Sequence, residues 1–283
     1  MGWYSEINAG LKNPEFMKYR KTAFAMVLTS LLAAACIHLV GAKRTVDPDA
    51  PAFGNLNGIT MAIPAKYQFF PVVYEGDDIS NAEWLEKNRN RVPTTDMKIS
   101  SFGVLLHMPD YAPRSGENLD SWFHQKNRYG FNQDWILIGI RSNNHEAKIG
   151  EKDWFMNYID RVKESNSSYP SATWHYEIVD QNIYGLRHEE LVGSTPNEAS
   201  FIAQSGHKDL YTDTSEWTTK IEYHRMIVSP YISTQCTQTF VVPDLDSFIE
   251  ITYNPQHLKD WMKMQTKVGF IIRSFETADS QAG

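Results

Sequence analysis

The chain has 283 residues and carries 27 lysines and arginines against 34 aspartates and glutamates, a formal charge of −7 with neutral histidines. Four basic and two acidic side chains lie before residue 43, which leaves −9 for all that follows; phosphate binding needs basic patches, so nucleic acid is excluded as a partner and a basic protein surface is favoured. The two cysteines, Cys36 and Cys236, sit in an apolar N-terminal segment and deep in the remainder, so no disulfide is expected and the fold must rest on the core that a chain of this length can bury, as one domain or as two small ones.

Residues 22–42, TAFAMVLTSLLAAACIHLVGA, hold no Asp, Glu, Lys or Arg and match the length of a helix crossing a bilayer core of roughly 30 Å. A core helix seldom stays apolar all round for so long. Lys12, Lys18, Arg20 and Lys21 precede the segment and only Lys43 and Arg44 follow closely, which sets residues 1–21 in the cytoplasm and carries the bulk of the chain across the inner membrane, to the periplasm of a bacterium. The same residues support a second reading. From Met17, MKYRKTAFAMVLTSLLAAAC has a basic head, an apolar middle and small residues before a cysteine, like a secretory signal, and it resembles a bacterial lipoprotein signal with Cys36 as the lipidation site. Against that, Ala33 stands where the lipoprotein pattern has a large aliphatic residue, and the apolar run continues past Cys36. Both readings place the remainder on the same side.

Residues 43–58 read as a tether, because Pro48, Pro51, Gly54 and Gly58 discourage helix and strand. A strand is expected at 59–64, a short surface helix at 81–91, a strand at 98–108 and a helix at 118–128 with Trp122 and Phe123 inward. WILIGIR, 135–141, is the most apolar β-type run and should be a central strand; residues 151–164 place Trp154, Phe155, Tyr158, Ile159 and Val162 at helical spacing. After a polar break at 165–171, the runs 173–179, 183–191, 218–229, 236–243 and 247–254 read as successive strands. The closing run from Pro255 puts Leu258, Trp261, Met262, Gln265, Val268 and Ile272 on one face of a helix. Each half thus ends in a strand followed by a tryptophan-bearing helix. The expected fold class is α+β: antiparallel sheets each covered by helices, as two small units over 59–165 and 171–283, behind the anchor helix.

The arrangements that chemistry requires are missing. The sequence has no G-x-S-x-G, no G-x-x-x-x-G-K, no G-x-G-x-x-G and no C-x-x-C, so no catalytic residue, cofactor or metal is assigned, and the chain is expected not to be an enzyme. His188 is followed by Glu189 and Glu190 but lacks the second histidine one helical turn on; it reads, like His145, Glu146, His207 and Asp209, as surface polarity or turn chemistry. Cys236, in a strand-like setting, reads as a small packed side chain. Two loops mix aromatic and charged residues where no periodicity calls for them: Tyr74, Glu75, Asp77 and Asp78 in one, and Asp110, Tyr111 and Arg114 in the other. An acidic loop stiffened by proline and carrying an aromatic side chain suits a basic cleft on another protein, so these seven residues are the candidate partner contacts.

Residues 58–78, GITMAIPAKYQFFPVVYEGDD, behind an anchor or signal, resemble the opening of immunity proteins encoded beside type VI secretion lipase effectors. FVVPDLDSFIEITYN, 240–254, with the helix bearing Trp261 and the end FIIRSFE, is similar to their C-terminal domain. The resemblance implies a two-domain periplasmic protein without enzymatic activity that binds a cognate phospholipase toxin and blocks it. Two other classes stay open beside it: a non-inhibitory adaptor or envelope assembly factor of the same secretion system, and an enzyme with an unfamiliar site at Cys236 or the histidines.

Overall fold

An Asn-Gly pair sets the first element. Asn57 and Gly58 both take positive φ, 51° and 96°, the backbone that joins two strands through a tight turn of matching twist. Strands β1 (Ala52–Leu56) and β2 (Ile59–Ile63) pair across it. Part of the expected tether is therefore strand, because the turn lets a Gly- and Pro-flanked segment find a partner at once. The computed structural model describes residues 50–116, 118, 134–143, 157, 159–160, 163, 174–193, 195, 207–215, 218–228 and 231–277. The anchor segment, Cys36 and the polar break at 165–171 lie outside them, as does nearly all of the helix expected at 118–128. No helix among the described residues is long and apolar enough to cross a membrane.

All the other strands join one antiparallel sheet of ten: β3 (Val73–Tyr74), β4 (Ile99–His107), β5 (Ala112–Pro113), β6 (Trp135–Ser142), β7 (His175–Ile183), β8 (Leu186–Val192), β9 (His207–Asp213), β10 (Thr219–Val228), β11 (Tyr231–Val242) and β12 (Ser247–Tyr253). Their order is β3-β4-β6-β12-β11-β10-β9-β8-β7, with β5 beside β4.

This overturns the α+β expectation of two small sheets each covered by helices. The described fold is predominantly antiparallel β, and the strands expected to close two separate units, β6 and β12, pair directly, Ile138 opposite Ile251 and Ile140 opposite Ile249. The cause lies in WILIGIR. A strand this apolar on both faces needs neighbours along both edges, and it takes β4 on one side and β12 on the other. A strand that the sequence reading missed, β9, completes the array, its alternation hidden by charge: HKDLYTD holds Asp209 and Asp213 at buried positions.

Helices are few among the described residues. Helix α1 (Ala82–Lys87), capped by the Asn81 side chain accepting from the Glu83 and Trp84 amides, buries no residue. Helix α2 (Trp261–Arg273) lays Trp261, Met264, Val268 and Ile272 on the sheet. Met262, expected on that face, is exposed: it lies about 100° round the helix from Trp261, and Met264 takes the inward place. Of the helix expected at 151–164, Asn157, Ile159, Asp160 and Lys163 are described and are helical, with Ile159 packed on Leu210.

The two faces of the sheet differ. The α2 face carries Val104, Ile138, Ile251 and Phe240, and it is closed further by Leu56, Met61 and Ile63 of the β1-β2 hairpin. On the opposite face Gly103 admits the Phe70 ring, which would stand 2.5 Å from a Cβ at that position.

Candidate functional site

The first candidate loop hangs from the β3 edge. Its Tyr74 is buried, donates from its hydroxyl to the Phe53 carbonyl at 2.7 Å, and is pushed up to about 12 by burial, with Arg91 lowering and Asp77 raising it. Asp77 is structural too. It accepts the Tyr74 amide at 2.9 Å and both arms of the Arg91 guanidinium at 2.8 Å, with its side chain only 4 % exposed. The guanidinium lies over two rings, 5.1 Å from the Tyr74 centroid and 5.2 Å from that of Trp84, so one cation fastens α1 and the loop to the sheet edge. Its bond to Asp77 raises the Arg91 pKa. Glu75, near Lys98 at 3.5 Å, and Asp78, accepting from Ser80 at 2.7 Å, face solvent.

The second loop divides in the same way. Tyr111, at φ 61°, is buried and pushed up to about 12 by burial and then by Asp260. Arg114 is lowered by burial and reaches the Ala65 carbonyl at 3.4 Å. Asp110 is open to solvent, 3.8 Å from His107 Nδ1. The two loops are not brought together. Tyr74 pairs with Ile99 at the start of β4, and Asp110 follows His107 at its end, so the length of that strand, about 27 Å, separates them. The accessible carboxylates of Glu75, Asp78 and Asp110 therefore lie in two separate places at one end of the sheet order.

Beyond them lies a polar cluster that the sequence reading did not assemble. On β8 and β9, His188 stands opposite Tyr211, with Glu190 and Asp209 next along the same face. The His188 ring stacks on Tyr211 at 4.3 Å and 3°, and its Nε2 lies 3.3 Å from Asp209 Oδ2. The row continues inward through Tyr223, opposite Asp209, then Cys236 and Tyr253. Burial and then Asp209 push the Cys236 thiol up to about 12, which favours the thiol over the nucleophilic thiolate at neutral pH. Tyr211 is raised by burial and then by Asp209, Cys236, Tyr223 and Glu190; Tyr253 is raised by burial and then by Cys236 and Tyr211. The one available signal was the spacing of two in His188/Glu190 and Asp209/Tyr211, legible only if β9 is recognised as a strand.

No family model matches the chain, and no curated protein does. Two solved structures resemble it. One is Smlt3025, an immunity protein of the Stenotrophomonas maltophilia type IV secretion system, at 13 % identity and a TM-score of 0.47, covering 84 % of this chain and 99 % of that one. The other is the Neisseria meningitidis iron-regulated outer membrane lipoprotein FrpD, at 11 % identity and a TM-score of 0.43, covering 81 % and 93 %. A structural neighbour of the chain is thus a secretion-system immunity protein, at an identity and a TM-score too low to carry its partner or its role across.

Proposed function

We propose that the chain is a membrane-anchored immunity protein that faces the periplasm and neutralises a type VI secretion phospholipase by binding it, without catalysis of its own. The observation that carries the reading is the meeting of the two segments on which the sequence resemblance rests. Residues 58–78 and 240–276 are far apart in the chain, yet the Ala62 amide donates to the Phe275 carbonyl at 2.8 Å and the Thr277 amide to the Thr60 carbonyl at 3.0 Å. Met61 bridges to Glu276, and the Tyr67 and Phe275 rings pack at 5.1 Å. Two matches that belong to one continuous piece of surface and core are supported by each other, as two scattered matches would not be. The reading is supported further by the protonated, buried thiol of Cys236, which weighs against the enzyme alternative, and by solvent-facing carboxylates at Glu75, Asp78 and Asp110 suited to a basic partner.

Co-expression with the toxin encoded beside this chain, directed to the periplasm, tests it. Restored growth is the expected outcome. A complex that forms while the cells still die would make the chain an adaptor, and an activity of the chain itself that disappears in Cys236→Ala would make it an enzyme.

A further inference from the structure

The cluster on β8 and β9 has a use that partner binding leaves unexplained. His188, Glu190 and Asp209 each offer one ligand atom, and the three atoms lie within 4.8 Å of one another. One pair, His188 Nε2 and Asp209 Oδ2 at 3.3 Å, has the separation of two neighbouring ligands in a tetrahedral shell, about 3.3 Å for bonds of 2.0–2.1 Å. His188 is only 8 % exposed, and its Nε2 makes no hydrogen bond although the carboxylate is near enough for one; distance is right and alignment is not. A buried ring nitrogen that lies beside a carboxylate without bonding it is placed to share a cation with it.

Two further features fit a cation. The Tyr211 ring stacked at 3° fixes the imidazole plane, the role that an outer partner plays for a metal-bound histidine. Two described cations nearby are engaged on the opposite face of the sheet by strand parity: Arg187 reaches Glu189, and Lys220 reaches Glu222. Glu190 is half-buried and stands opposite the exposed Glu177 of the edge strand β7, so the third ligand is the one reached from solvent.

We propose that His188, Glu190 and Asp209 form a binding site for one divalent transition-metal ion of the zinc class, with the fourth position open to solvent on the β7 side. One nitrogen and two carboxylate oxygens match the donor types that zinc takes in proteins and are too few and too nitrogen-rich for a calcium cage. The ion would tie β8 to β9, two strands that face each other there through acidic groups.

The test uses the full chain in detergent, treated with a chelator and then titrated with Zn2+ alone, with Mg2+ as a control. The expected result is calorimetric binding of one equivalent and a melting temperature that rises with Zn2+ and saturates, with Mg2+ giving neither. His188→Ala should abolish the binding. Should that variant fail to fold, Glu190→Gln keeps the shape of a half-buried side chain and should weaken binding by more than the roughly 10- to 100-fold that loss of an outer partner causes. No saturable Zn2+ binding by the unaltered chain would overturn the proposal, and so would one-equivalent binding that Glu190→Gln leaves unchanged.

Discussion

The two ends of the ten-stranded sheet are built on different principles. Where β4, β6 and β12 meet, the α2 face is largely aliphatic: Val104, Leu106, Ile136, Ile138, Ile249 and Ile251 are at 0 % exposure beneath α2 and the β1-β2 hairpin. Across β8, β9 and β10 the buried positions of Leu186, Leu191, Leu210, Tyr211 and Ile221 are interleaved with those of His188, Glu189, Asp209, Thr212, Asp213, Thr219 and Lys220. Burying apolar surface stabilises a fold wherever it happens, at about 25 cal/mol per Å2, whereas buried charges must recover a desolvation cost and often contribute little net stability. The aliphatic end therefore holds the molecule together. The polar end fixes which side chains face which, and the metal ligands proposed above lie there.

The contrast can be broken at either end. The largest effect is expected in the aliphatic half, where Ile138→Ala should lower the unfolding free energy by about 2–5 kcal/mol in urea titration; a loss under about 1 kcal/mol would mean that the core is not where the structure puts it. Next comes the clasp at the β3 edge. Arg91→Ala strands the buried Asp77 carboxylate, and with the guanidinium itself partly exposed the expected loss is about 2–4 kcal/mol, read in the same titration. In the polar half, Lys163→Met leaves Glu189 with Arg187 alone, for a loss of roughly 1–3 kcal/mol, while adding Glu189→Leu should restore most of it. If the double variant were no more stable than the single one, the polar end would be supporting the fold after all. The smallest change in stability belongs to the exposed carboxylates. Asp78→Lys and Asp110→Lys should each stay within about 0.5 kcal/mol of the parent while loosening the proposed toxin complex, and unchanged affinity would remove both loops from the proposed interface.

The same contrast governs what could be read before the fold was seen. WILIGIR announces itself as a nearly continuous apolar run and SFIEITY by its alternation, and the final helix follows from its apolar spacing. The sheet's continuity was not legible, since nothing local says that β6 will choose β12, more than a hundred residues away, over a neighbour of its own. At the polar end the signal failed for a different reason. His188 and Asp209 have the composition of a surface, and only the pairing of β8 with β9 turns them inward to one point. The candidate loops were half legible: residue types marked Tyr74, Asp77, Tyr111 and Arg114 as unusual, but the cause is local structure, with Tyr74 bonded to Phe53 and Asp77 to Arg91. Of the seven, Glu75, Asp78 and Asp110 are the exposed ones.

Neutralisation by binding is the central claim, and phospholipase turnover measures it directly. With the full chain titrated in detergent into the purified toxin encoded beside it, hydrolysis should fall in proportion to added chain and reach its floor at about one equivalent. Turnover that continues unchanged in a complex shown to have formed would contradict the account.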